Sequence, residues 1–238
     1  NWVCGNMASG DGGGVAHIGF SNNGRIANNT IIFNQSTNPT ITTNGGGLLL
    51  MGAPDADPTT CGVTTDQDCV PPPGTINPSD GIGRNVVVNA NLILGNGVEA
   101  GSGGGLRLQH VNGMDVVDLP DGATYCATPA TCAWNSATVT NNIIANNVAG
   151  WDGAGVSLQD ALMAHLVNNT IIGNNTPGTY GRGGGLFLYS DDNTFNCYNN
   201  IIWGNTAGGN GADVYLAGTG SRKEFLYNDA HGMYGVWD

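Results

Sequence analysis

Asn200-Ile201-Ile202-Trp203-Gly204-Asn205 decides the fold, because it recurs. Asn29-Thr30-Ile31-Ile32-Phe33-Asn34 and Asn91-Leu92-Ile93-Leu94-Gly95-Asn96 have the same form. So do Asn142-Ile143-Ile144-Ala145-Asn146-Asn147 and Asn169-Thr170-Ile171-Ile172-Gly173-Asn174. Each has Asn at both ends and Ile in third place. A second phrase alternates with the first: Gly12-Gly13-Gly14-Val15, Gly45-Gly46-Gly47-Leu48, Gly103-Gly104-Gly105-Leu106, Gly153-Ala154-Gly155-Val156 and Gly183-Gly184-Gly185-Leu186. Gly211-Ala212-Asp213-Val214 reads as a worn sixth copy.

The residues that follow each Gly phrase read as a strand. Alternation by two puts the first and third on one face. Those columns are Val15, Leu48, Leu106, Val156, Leu186, Val214 and His17, Leu50, Leu108, Leu158, Leu188, Leu216. They form the expected inward face, and the second and fourth columns point out. A lone inward His17 reads as a hydrogen-bonded core residue. After a corner, the Asn-Ile-Ile phrase makes a second strand, with Ile31, Ile93, Ile144, Ile171 and Ile202 as another inward column. The chain then returns through a polar, Gly-rich segment. A bare repeat is about 30 residues, and it lacks the 3.6-residue period of helix-pair repeats. Stacked parallel strands suit it instead, with one turn of a β-helix per repeat. Identical Asn residues at successive corners can then bond side chain to side chain, so their expected role is structural.

Composition narrows the function. The chain has 238 residues, with 18 acids against six bases and a net charge of −12. So few cations leave almost no counterion-release energy for DNA or RNA, and nucleic-acid partners are excluded. No apolar run approaches the ~18 residues of a membrane helix, so no membrane insertion is expected from this segment. The 40 glycines fall at fixed places in the repeat and mark corners. Cys61 with Cys69 and Cys126 with Cys132 lie in two irregular segments, and each pair reads as a local disulfide. That implies an oxidising compartment. No His stands at zinc-ligand spacing from either pair. Cys4 and Cys197 belong to distant repeats and are not expected to pair. The sequence begins without Met or a signal peptide, which suits a processed chain or part of a larger one.

The phrases resemble the right-handed parallel β-helix repeats of secreted bacterial proteins. The Gly-Gly-(Gly/Ala)-aliphatic and Asn-x-Ile-x-x-Asn alternation is similar to that of the polymorphic outer-membrane proteins. The stretch Asn200 to Ala207, then Ala212-Asp213-Val214-Tyr215 and Leu226-Tyr227-Asn228-Asp229, resembles the closing coils of "choice-of-anchor" surface proteins. The resemblance implies an all-β, right-handed parallel β-helix of about six coils and an extracellular or cell-surface location. One domain over residues 1–238 is expected. Its insertions, at about 53–83 and 112–133, should emerge side by side between strand one and strand two.

Because coils stack, an outward column becomes a surface stripe. One such stripe collects Arg107, Gln109 and His110, then Gln159 and Asp160, then Phe187, Tyr189, Asp191 and Asp192, then Tyr215. Aromatic faces for sugar rings and amides for hydroxyls make Arg107, Gln109, Gln159, Phe187, Tyr189 and Tyr215 the expected glycan-binding residues. Catalytic candidates are Asp160, Asp191, Asp192 and His110. Hydrolysis needs two carboxylates about 5 Å apart for retention or about 6.5–9.5 Å for inversion, a spacing within reach of neighbouring coils. The order of motifs in β-helix polygalacturonases is not reproduced, so those roles are not carried over. A lyase would need a base and calcium, and the acidic surface repels polyuronate. Asp55, Asp57, Asp66 and Asp68 are calcium candidates, although they match no EF-hand spacing. Trp151 and Trp203 are expected to cover corners. The chain thus reads as an extracellular structural or adhesive surface protein, a glycan binder or fibre subunit whose partners are glycans or further copies of itself. A polysaccharide-degrading enzyme of the pectin-lyase-like class is the alternative.

Overall fold

A computed structural model describes residues 1–18, 23–51, 85–111, 136–161, 163–189, 194–217 and 222–235. Among these the chain is all-β, with every strand parallel to its neighbours and no helix. The chain visits four sheets in rotation. Sheet A stacks Trp2–Cys4, Thr30–Ile32, Leu92–Leu94, Ile143–Ala145, Thr170–Ile172, Ile201–Trp203 and Asp229–Ala230. Sheet B stacks two-residue strands from Met7–Ala8 to Thr206–Ala207. Sheet C stacks Val15–Ile18, Leu48–Met51, Leu106–Val111, Val156–Ala161, Leu186–Tyr189, Val214–Ala217 and Met233–Gly235. Sheet D stacks Arg25–Ala27, Val86–Asn89, Ala137–Thr140, Ala164–Val167, Thr194–Tyr198 and Arg222–Leu226. Such a stack belongs to the class of parallel β-helices.

Two of the four sheets correct the expectation of two strands per repeat. The strand after the Gly phrase is sheet C, and the Asn-Ile-Ile strand is sheet A. Sheet D lies between them, and sheet B lies within the Gly-rich return. The register is otherwise as the columns require. Val3, Ile31, Ile93, Ile144, Ile171, Ile202 and Ala230 pair in succession. Those five Ile side chains, with Leu48, Leu50, Leu106, Leu108, Leu158 and Leu188 of sheet C, are fully buried in one continuous core. Sheet D closes it with Val88, Val139, Leu166 and Phe195.

Two Asn ladders run the length of the stack. In the first, the Nδ2 of Asn29, Asn91, Asn142, Asn169 and Asn200 each donates to Oδ1 of the next rung, ending on Asn228, at 2.9–3.0 Å. In the second, Asn34, Asn96, Asn147 and Asn174 do the same, ending on Asn205, again at 2.9–3.0 Å. The backbone N–H of each of these donors bonds the same oxygen. The remaining amide proton goes to a backbone carbonyl, as Asn147 Nδ2 to Ile93 O at 3.1 Å. Every polar atom of a buried rung is therefore satisfied, which is the condition for burying an amide at all. The residue before each rung takes positive φ, as at Asn28 (58°), Ala90 (54°) and Phe33 (55°). For a residue other than glycine that conformation costs about 1–2 kcal/mol, and the ladder bonds it orients offset the cost.

The worn sixth copy has a physical reason. In the earlier phrases the third glycine faces the ladder: a Cβ at Gly185 would lie 2.7 Å from Asn205 Nδ2. At Asp213 the ladder ends, and the side chain itself takes the next rung. Its Oδ1 accepts from Asn205 N and Nδ2 at 3.0 and 2.9 Å. Its Oδ2 accepts from the N–H groups of His231 and Gly232 at 3.1 and 3.2 Å.

His17 departs from expectation. It lies in the inward column opposite Leu50, but its buried Nε2 has no hydrogen-bond partner. Cys4 and Cys197 are unpaired. Burial pushes the Cys197 thiol far above the ordinary range. On the outer face of sheet D, Asn196 Nδ2 lies 3.0 Å from His165 Nδ1, and the two sit on paired strands. Burial lowers the His165 pKa. Below its ordinary value of about 6.5, the unfolded chain therefore binds the proton better than the folded one. Stability is held above that value and should be lost as pH falls from it through the lower folded value. In His165→Gln the drop in melting temperature between about pH 7 and 5 should be shallower than in the parent; equal slopes would rule out a contribution from His165.

Candidate functional site

The outer face of sheet C is where the chain builds a concavity. Its second column pairs Ala16, Leu49, Arg107, Ser157, Phe187, Tyr215 and Tyr234 in register. The Gly phrase folds back over this column. A Cβ at Gly45 would lie 2.7 Å from Leu49 Cβ, and one at Gly103 would lie 2.7 Å from Arg107 Cβ. Only glycine permits that approach, and it buries the column from above. Arg107 is 4% exposed and Phe187 3%, so neither is the open surface residue that an outward column suggests. Arg107 Nη1 donates to Ser157 Oγ at 2.6 Å, and its Nε and Nη2 reach Gln109 Oε1 at 3.2 and 3.1 Å. Nη2 also bonds Gln159 Oε1.

One wall is a third polar column that sequence reasoning missed. It comprises Asp11, Asn44, Ser102, Asp152 and Arg182, the residues just before the first five Gly phrases. Each of the first four side chains accepts from the backbone of the next rung: Asp11 Oδ1 from Asn44 N at 2.6 Å, Asn44 Oδ1 from Ser102 N at 3.2 Å, Ser102 Oγ from Asp152 N at 3.3 Å, and Asp152 Oδ1 from Arg182 N at 3.0 Å. Only the side-chain chemistry recurs, so the column shows no common letter. Arg182 completes it with a two-pronged pair, Nε to Asp152 Oδ1 at 3.0 Å and Nη2 to Oδ2 at 2.9 Å. Hydrogen bonding to Asp152 raises the guanidinium pKa, partly offset by burial, and Tyr215 adds to the rise. The guanidinium carbon lies 4.8 Å from the Phe187 ring centre and 5.1 Å from that of Tyr215. Below it Phe187, Tyr215 and Tyr234 stack, with centroids 5.5 and 5.0 Å apart.

Between floor and wall lies a cleft of about 370 Å³, within the range of small-molecule sites. Asn44, Ser102, Asp152 and Arg182 line one side, and Arg107, Gln109, Gln159, Phe187 and Tyr189 line the other. It crosses four rungs, from Asn44 to Arg182, or roughly 14 Å at the usual strand spacing. Tyr189, 44% exposed, is its open aromatic. Trp151, half exposed, stands at the rim. It lies in the passage from Val148–Ala149 of sheet B to Val156–Ala161 of sheet C. Trp203 lies on the outer face of sheet A with its ring 4.0 Å from that of His231, in the passage between Asp229–Ala230 and Met233–Gly235.

The structure thus brings Arg107, Gln109, Gln159, Phe187 and Tyr189 together in one cleft and places Tyr215 in the adjoining stack. His110 and Asp160 lie on paired strands between the partners Gln109–Gln159 and Val111–Ala161, but their side chains are outside the described residues. Asp191 and Asp192 lie outside altogether, as do Asp55, Asp57, Asp66, Asp68, Cys61, Cys69, Cys126 and Cys132. Among the described residues, no cluster of three or more His, Cys, Asp or Glu could hold a metal ion. No described helix is long and apolar enough to cross a membrane. Comparison with protein-family models, with curated proteins and with solved structures finds no significant match to this chain.

Proposed function

We propose that this chain is an extracellular structural or adhesive protein, a right-handed parallel β-helix of about six coils of the bacterial surface type, that binds glycan in the sheet C cleft. Right-handed winding is what nearly all crossovers between parallel strands adopt. The reading rests on one observation. A guanidinium locked by Asp152 lies over a stack of three aromatic rings, beside a cleft floored by two glutamine amides and edged by Tyr189 and Trp151. Flat faces and amides at fixed positions are what a sugar ring and its hydroxyls require. A preformed wall also lowers the ordering cost of binding.

A glycan array probed with the labelled chain tests this directly. Tyr189→Ala should weaken the best hit by about tenfold, the cost of a well-packed contact residue, while leaving the melting temperature unchanged. An array without hits would overturn the reading. The alternative, a polysaccharide-degrading enzyme, draws support from His110 and Asp160 on adjacent rungs beside the cleft residues Gln109 and Gln159. It requires new reducing ends from a bound glycan and their loss in Asp160→Asn.

A further inference from the structure

We infer that the cleft is one of two sugar subsites on either side of a single wall, and that its ligand is a neutral chain of equatorially substituted pyranoses long enough to cross it; this rests on the glycan reading above. A second cleft of about 390 Å³ adjoins the first. The two share Trp151, Asp152 and Arg182, so one wall faces both. Its far side is lined by Thr179, Tyr180 and the glycines Gly150, Gly178 and Gly181.

The wall is held from both its backbone and its side chains. Asp152 and Arg182 form a parallel bridge in addition to their two-pronged ion pair. Trp151 N donates to Gly101 O at 2.9 Å, which fixes the base of the indole-bearing residue. Tyr180 sits in a turn closed by Gly181 N to Gly178 O at 2.8 Å. That turn is tied to the next rung by Gly209 N to Gly181 O at 2.8 Å and Gly208 N to Thr176 O at 2.8 Å. Tyr180 is 90% exposed and Trp151 50%. Packing of the core explains neither, since both rings stand in water on anchored backbone. Two such aromatics flanking a rigid polar ridge can engage successive rings of a chain.

The chemistry of the ridge selects the chain. Arg182 already has its charge met by Asp152, and the whole molecule carries −12. A polyanion therefore gains little at this guanidinium and is repelled by the rest of the surface. Pyranoses with equatorial substituents present flat C–H faces to an aromatic ring and direct their hydroxyls sideways, towards the amides of Gln109 and Gln159 and the peptide groups of the glycine turn. Occupying both clefts through one covalent chain makes the second contact intramolecular.

The test is titration calorimetry of the full chain with cellobiose and cellotetraose, chitobiose and chitotetraose, and digalacturonate and tetragalacturonate. At least one neutral tetrasaccharide should bind at least about tenfold more tightly than its disaccharide. Tyr180→Ala should bring the tetrasaccharide down to the affinity of the disaccharide. Tyr189→Ala should weaken both. Because Tyr180 is exposed, its variant should melt with the parent. Equal affinity for the two neutral lengths, or unchanged tetrasaccharide binding in Tyr180→Ala while Tyr189→Ala is impaired, would sink the second subsite and leave the glycan reading standing. Preference for the galacturonates would sink the neutral-chain assignment. Absence of binding to all six, together with a blank array, would remove both proposals.

Discussion

Asn147→Ala should destabilise the fold by about 3–6 kcal/mol, more than almost any other single change in this chain. Asn147 is fully buried at the middle of the second ladder. Its Oδ1 accepts from Asn96 N at 2.9 Å and from Asn96 Nδ2 at 3.0 Å, and its Nδ2 donates to Ile93 O and Asn174 Oδ1. Truncation leaves two donors of Asn96 and the carbonyl of Ile93 buried without those partners. Each costs about 1–3 kcal/mol once water is excluded. Asn147→Asp should be no milder. It keeps the acceptor but sets a carboxylate against Ile93 O and Asn174 Oδ1, an unpaired buried charge. The control is Asn175→Ala. The side chain of Asn175 accepts only from the exposed Thr206 Oγ1 at 2.8 Å, so its loss should stay within about 0.5 kcal/mol. Urea unfolding monitored by circular dichroism measures all three. A loss below about 1 kcal/mol at Asn147 would show that the rungs do not depend on one another.

Asp213→Ala should be nearly as damaging, at about 3–5 kcal/mol, but its effect should be local. Four donors converge on this carboxylate, two from Asn205 and one each from His231 and Gly232. Removing it orphans the last rung of the ladder and unties the segment that carries Met233–Gly235 onto sheet C. Amide exchange should therefore accelerate in residues 229–235 while the amides of Ile93 and Ile144 stay protected. Asp213→Asn should fall between parent and Ala. One oxygen still accepts from Asn205, but an NH2 then meets the N–H groups of His231 and Gly232. If exchange accelerates uniformly along the chain, Asp213 is not a terminal cap.

Both predictions concern residues whose meaning differed in legibility. Asn147 was readable because the same letter stands at the same place in five phrases, and stacking in register demands a side chain that is donor and acceptor at once. Asp213 was not, because a departure from a repeat looks like decay until the absent next rung is seen. Sheet D escaped for a related reason. Arg25–Ala27, Val86–Asn89, Ala137–Thr140 and Thr194–Tyr198 share alternation but no residue type. The two-residue strands of sheet B are too short for alternation to register. At the cleft, Gln109, Gln159 and Tyr189 were legible as outward positions of a strand. The wall of Asn44, Ser102, Asp152 and Arg182 was not, since the first three have different letters in a common accepting role and Arg182 ends the column as a donor. Trp151 and Tyr180 lie in segments without a phrase, and only the fold of the return loops places them.

The four bends of the chain are not equally tolerant of change. Passage from sheet D to sheet A and from sheet A to sheet B always takes two residues, as between Ala27 and Thr30 or Ile32 and Gln35, and the second of each pair is an Asn bonded into one of the two ladders. Passage from sheet C to sheet D takes residues 162–163 in one turn and residues 52–85 in another. Growth and novelty can accumulate at that bend without shifting the alignment of anything beneath, so foreign peptides grafted between Ala161 and Ala164 should be displayed by an unaltered scaffold. The architecture separates what must be copied from what is free to diverge.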